Sequence, residues 1–222
     1  MRRVPRLARI GSTFVLGALL MATPLSADAE PAGPVDAAGR AGLVDVRGVL
    51  PDAIVDLRYA TADNFLGVRL YPADARCLVH ESLVASLITA AEVAGAQGNR
   101  LVFWDCYRPH EVQVRMFEVV PNPNWVARPG TSARSHTAGR SVDVTLADRT
   151  GRLLDMGTDF DEFSPRAPAY ATAGVTPAAQ ANRALLRAAM TAGGFTVYDG
   201  EWWHFDGPGA REPRPLLDVP LR

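Results

Sequence analysis

Lysine is absent from this chain of 222 residues: all 23 basic side chains are arginines, and against 24 carboxylates they leave a formal net charge of −1. No basic excess of the kind that follows a phosphate backbone is present, which argues against a nucleic-acid partner. Cysteine is nearly absent too, with Cys77 and Cys106 alone, and two thiolates fall short of the cysteine-rich set of four that closes most structural zinc sites. Histidine is held to His80, His110, His136 and His204. The apolar run Ile10 to Leu20 is too short for a membrane anchor.

That run has another use. Arg2, Arg3, Arg6 and Arg9 precede it, and Ala27-Asp28-Ala29 offers small residues for cleavage, so residues 1–29 read as an export signal. Removing them leaves 193 residues carrying 19 arginines and 23 carboxylates, a net charge of about −4 and enough chain for one domain. The expected destination is the periplasm or the cell exterior, with no membrane anchor left after cleavage. In such an oxidising compartment Cys77 and Cys106 form a natural disulfide pair. No oligomeric state follows from the sequence.

Residues 30–43 are rich in Ala, Gly and Pro without sustained periodicity and read as a flexible leader, which puts the start of the folded domain near Val44, running to 222. From His80 to Gln97, Leu83, Val84, Leu87, Ile88, Ala91 and Ala94 recur at helical spacing, with Gly98 as a stop. Leu101-Val102-Phe103-Trp104 suits a buried strand, and Pro109 opens a second helix that ends by Pro121. Thr176-Pro177 is a capping residue followed by proline at the first helical position, Gly193-Gly194 ends that helix, and Phe195 to Tyr198 resumes strand character. Mixed elements without repeated strand-helix units make this an α+β domain.

Chemistry concentrates in two stretches, Ser135-His136-Thr137-Ala138-Gly139-Arg140-Ser141-Val142-Asp143 and Glu201-Trp202-Trp203-His204. His136, Asp143 and His204 make a three-ligand set that leaves a fourth zinc position open, and Glu201 lies where it can handle protons, so the pattern implies metal-assisted hydrolysis. Gly139 permits a tight turn, after which Ser141, Asp143 and Thr145 share one strand face opposite Val142, Val144 and Leu146. Glu201 and His204, three apart, would fall on opposite faces of a regular strand, so a bulge or turn must separate them. His80 and His110 sit in no ligand motif and read as structural or exposed, and Trp202 and Trp203 read as packing residues.

These stretches, with Asp56-Leu57-Arg58-Tyr59-Ala60-Thr61, Asn64-Phe65-Leu66-Gly67 and Trp104-Asp105-Cys106-Tyr107-Arg108-Pro109, resemble in order the VanX-type D-alanyl-D-alanine dipeptidases, from about Val44 to the C-terminus. The resemblance implies the zinc D-Ala-D-Ala peptidase fold shared with hedgehog-like domains, a central antiparallel sheet flanked by helices. It implies one zinc ion per chain on His136, Asp143 and His204, with Glu201 as general base and then acid. Arg108 would stabilise the charge developing on the scissile carbonyl. Asp161 would receive the ammonium of a small dipeptide substrate, with Tyr59 and Ser135 beside it. The chain departs from the family pattern Ser-x-His-x-x-Gly-x-Ala-x-Asp at Arg134 and Ser141, and Cys106 stands where glycine is familiar. A D,D-carboxypeptidase acting on peptidoglycan stems and a non-catalytic cell-wall binding protein are the alternatives.

Overall fold

The computed structural model describes residues 34–222. The export signal expected over 1–29 and the first part of the expected leader lie outside the described residues. The rest of that leader is ordered. Helix α1, Pro34–Arg40, leads into strand β1, Leu43–Asp45, and Ala38 and Leu43 are both buried in the core. The domain therefore begins before Val44. Small alanines and glycines leave no periodicity here, because Ala38 and Leu43 alone are buried among residues 37–43 and β1 is held by pairing with distant β3, Leu78–His80.

Short α2, Val46–Val49, is capped by the Asp45 carboxylate accepting from the Arg47 amide. The central sheet has five strands in the order β2-β4-β5-β7-β6. Their ranges are β2 Ile54–Val55, β4 Asn99–Asp105, β5 Ser141–Asp148, β6 Thr196–Val197 and β7 His204–Asp206. All pairings are antiparallel except β2 with β4, so the sheet is mixed at one edge.

Three longer helices flank it. The helix expected over 80–97 begins as a 3-10 turn, Glu81–Leu83, where His80 Nδ1 accepts from the Ser82 amide, and continues as α3, Val84–Ala96. Helix α4, His110–Val119, starts directly after Pro109. Helix α5, Pro177–Ala192, has Thr176 Oγ1 accepting from the Ala179 amide and Pro177 at its first turn, where a missing N–H costs nothing. Helices α3 and α5 pack on one another and over the sheet. Among the described residues no helix is long and apolar enough to cross a membrane.

The core continues through both faces of β5, whose residues from Ser141 to Ala147 are all buried. Val142, Val144 and Leu146 supply the apolar face, and the polar Ser141, Asp143 and Thr145 turn towards the segments that build the pocket. Trp202 and Trp203 are packing residues, buried edge to face at 5.4 Å, with Trp202 Nε1 donating to Thr158 Oγ1. Arg183 of α5 is buried over the Trp202 ring, and its guanidinium donates to the carbonyls of Met156, Arg166 and Pro168. It thereby fixes both ends of the long segment that carries Asp161.

Candidate metal centre and pocket

Sheet register places the polar groups. Asp105 at the end of β4 pairs with Asp143 of β5, and Asp143 pairs with His204 at the start of β7, so three polar side chains stand in one row across three strands. His136 comes from a separate 3-10 turn, Ser135–Ala138, that closes on Gly139 with φ +64°. Glycine is required there by space as well as by φ: a Cβ at Gly139 would meet Leu43 Cδ2 at 2.7 Å.

Three ligand atoms converge. His136 Nε2 lies 3.1 Å from His204 Nδ1 and 3.3 Å from Asp143 Oδ1, and His204 Nδ1 lies 3.0 Å from that same oxygen. Ligand atoms about 2.05 Å from a tetrahedral zinc stand roughly 3.3 Å apart, so the triangle matches that ion. The outer ring nitrogens fix the tautomers. His136 Nδ1 lies 2.8 Å from the Cys106 carbonyl oxygen and must donate to it, and His204 Nε2 lies 3.1 Å from Asp206 Oδ1. Both inner nitrogens then direct lone pairs at a carboxylate oxygen. Three lone pairs facing each other repel unless a proton or a cation sits among them, and this donor set suits zinc.

The titration behaviour agrees. Burial would raise the Asp143 pKa, but His136 and His204 outweigh it and hold the carboxylate well below the usual range. Burial would lower the His204 pKa, but Asp143 and Asp206 carry it up to about 10. A proton and a divalent cation compete for the same place.

Glu201 is brought alongside by the loop between β6 and β7. Tyr198 N donates to His204 O, and Glu201 N donates to Tyr198 O, so the chain turns back before β7 and both Glu201 and His204 reach one cavity. This turn meets the spacing problem posed by three residues. The Glu201 carboxylate has no hydrogen bond to another described residue, and burial raises its pKa to about 7 despite the neighbouring His204.

The cavity, about 690 Å³, holds the three converging donors together with Glu201, Arg108 and Asp161. Arg108 is buried and held by three of its five N–H groups, Nε and Nη2 donating to Asp105 Oδ2 and Nη1 to Gln113 Oε1. It lies 5.5 Å over the Tyr59 ring. Burial disfavours its charge, but Asp105 more than restores it. Asp161 is buried at φ +56° and accepts from Tyr59 Oη at 2.6 Å. Burial first, and then the charge of Asp143, push its pKa well above the ordinary carboxylate value. Ser135, at φ +48°, also faces the cavity. Asp161 and Ser135 are the two non-glycine residues with positive φ among the described residues, and such strain gathers at ligand sites.

A family model described as D-ala-D-ala dipeptidase, of peptidase family M15, matches residues 39–222. The chain belongs to this family. The D-alanyl-D-alanine dipeptidase of Escherichia coli K12 is 42% identical over 175 residues, covering 79% of this chain and 89% of that one. That of Streptomyces coelicolor is 33% identical over 186 residues, covering 75% and 91%, and that of Enterococcus faecium 31% identical over 192 residues, covering 75% and 92%.

In this M15 chain several supporting groups lay beyond sequence reasoning. Cys106 does form a disulfide with Cys77, with Cα atoms 5.3 Å apart, but its carbonyl, which orients His136, has no sequence signature. Asp206 had one, since it lies two positions after His204 on the same strand face. Tyr71 donates to Asp105 Oδ1 at 2.6 Å and Gln113 accepts from Arg108, and neither residue belongs to a recognisable motif. His80 is structural, bonded to Ser82 and 3.3 Å from Arg140. His110 stands at the cavity edge away from the ligand set.

Proposed function

We propose that the protein is an exported zinc dipeptidase that hydrolyses D-Ala-D-Ala to two D-alanines. The observation that carries this reading is one cavity holding three converging lone pairs, a carboxylate whose pKa is about 7, and a second buried carboxylate in want of a cation. His136, Asp143 and His204 would hold one zinc ion per chain, which would supply a Lewis acid for the peptide carbonyl and lower the pKa of water towards ~7.

The remaining work belongs to side chains. Glu201 takes the proton of the attacking water and delivers it to the departing amine nitrogen, a task that suits a pKa near the working pH. Arg108 has two N–H groups left for the oxygen on which negative charge develops, and its pairing with Asp105 holds it there before the reaction. Asp161 pays a desolvation penalty as an anion, and the substrate ammonium offsets it, while Tyr59 holds the carboxylate in place and Ser135 walls the same pocket.

Export suits recovery of dipeptide released from the cell wall. Purified mature protein should cleave D-Ala-D-Ala and leave L-Ala-L-Ala and N-acetyl-D-Ala-D-Ala nearly untouched. The cavity volume, ample for more than a dipeptide, favours one second reading, a D,D-carboxypeptidase acting on stem peptides. Equal cleavage of the N-acetylated substrate would replace the first reading with it.

A further inference from the structure

Gln113 is only 5% exposed, yet both ends of its amide are in use. Oε1 accepts from Arg108 Nη1 at 2.8 Å, and Nε2 donates to the Ala127 carbonyl at 2.7 Å. The partners fix which end is which, since a guanidinium cannot accept and a carbonyl cannot donate. On one side stands the cation assigned above to transition-state charge. On the other stands segment 122–134, which has no strand or α-helix and walls the cavity through Trp125, Arg128 and Arg134.

The contacts of Arg108 with Asp105 leave a freedom that Gln113 removes. Nε and Nη2 both converge on the single oxygen Oδ2, which fixes a point about which the guanidinium plane can pivot. The bond from Nη1 to Gln113 adds a second acceptor atom, away from Oδ2, and so sets the plane. The wall segment has no strand or helix ladder and is held at separate points, Val126 buried in the core and Arg128 5.2 Å over the Phe117 ring among them. Trp125 stacks on Phe163 at 5.4 Å while remaining 46% exposed, and the Ala133 to Arg214 bridge closes the far end. The Gln113 bond to Ala127 lies between those ties.

We propose that Gln113 is a positioning residue that sets the plane of Arg108 and ties it to the cavity wall 122–134, so that wall placement and orientation of the charge-stabilising group are one event. The proposal rests on the role given to Arg108 above. It accounts for a buried amide with no partner besides these two among the described residues.

The test uses the full mature enzyme with Gln113→Leu, Gln113→Glu, Arg108→Lys, and Gln113→Leu combined with Arg108→Lys. Gln113→Leu should lower kcat for D-Ala-D-Ala at least tenfold with full zinc content and speed chymotryptic cleavage after Trp125 several-fold. Lysine keeps the charge of Arg108 but cannot bridge Asp105 and Gln113 together, so in the Arg108→Lys background Gln113→Leu should cost less than threefold in kcat. Gln113→Glu keeps an acceptor for Arg108 but sets an oxygen against the Ala127 carbonyl, so it should recover at least part of kcat while leaving Trp125 as open to chymotrypsin as in the leucine variant. A Gln113→Leu enzyme within twofold of the parent in kcat, or one that loses the same factor in both backgrounds, overturns the positioning role. If the parent enzyme does not cut D-Ala-D-Ala, the proposed function fails by itself, and unchanged chymotryptic cleavage of Gln113→Leu overturns the tie independently of activity.

Discussion

The two halves of the cavity are built differently. The ligand half rests on β5, β7 and a short 3-10 turn, and each histidine has its outer nitrogen held, by the Cys106 carbonyl or by Asp206, which itself accepts from Ser141 and Arg211. The opposite half rests on Asp161, in a segment without regular structure, and on Tyr59 and Ser135, which belong to short 3-10 turns. Among the described residues the Asp161 carboxylate accepts a single hydrogen bond, from Tyr59, and both Asp161 and Ser135 sit at positive φ. One half is therefore organised before anything binds, and the other stores desolvation and backbone strain that a bound ligand relieves. Changes in the first half should therefore cost chemistry, and changes in the second should cost selectivity.

The largest effects should come from the ligand half. His204→Ala should lose most of its zinc, measured by metal analysis after gel filtration, and with it at least a thousandfold in kcat/KM. Glu201→Gln should retain the metal and lose about 10²–10⁴ in kcat, because only the proton acceptor is gone. Equal metal loss in both variants would erase the distinction between ligand and base.

Next comes the substrate half. Acetylating the dipeptide amine leaves Asp161 buried against a neutral cap, a penalty on the order of several kcal/mol and so a hundredfold or more in kcat/KM. Asp161→Ala should narrow that gap while keeping full metal content. If it instead stripped the metal, the two halves would not be separable.

Much of this was legible in the sequence, and unevenly. His136 with Asp143, and Glu201 with His204, announce themselves because one turn or one strand sets their spacing. The helix starts at Pro109 and Pro177 were equally plain, since proline and its capping threonine act locally. What escaped depends on distant chain. Tyr71 reaches Asp105 across 34 positions, and His136 is oriented by a carbonyl 30 positions away that any residue could have supplied. The parallel edge pair β2–β4 was also unreadable, because a strand of two residues has no period. Ala38 and Leu43 were assigned to a flexible leader since burial of single residues in a small-residue stretch leaves no repeat.

Two smaller effects belong to the groups around the donors. Asp206→Asn keeps the shape beside His204 but weakens its hold on the ring, so zinc affinity should fall about 10- to 100-fold in a chelator competition. The Asp206 carboxyl is held below its ordinary pKa because hydrogen bonds from His204 and Ser141 outweigh burial, so it stabilises the fold above the unfolded-state pKa and that contribution is lost as pH falls through the folded value. Finally, burial sets the Glu201 pKa at about 7 and a bound cation favours its charged form, so kcat/KM should decline as pH drops below a value at or under about 7. Glu201→Gln should flatten that limb, and an unchanged acid limb in the variant would assign it to another group.

The row formed by Asp105, Asp143 and His204 across β4, β5 and β7 has a consequence for how the enzyme comes into being. Neighbouring positions along a strand face opposite sides, so a slip of β7 by one residue would turn His204 away from Asp143 and present Phe205 instead. Catalytic competence is thus a report on strand register. A chain with β7 slipped by one residue would lack the His204 donor beside Asp143, so the three-donor cluster exists only once the sheet has assembled in this register.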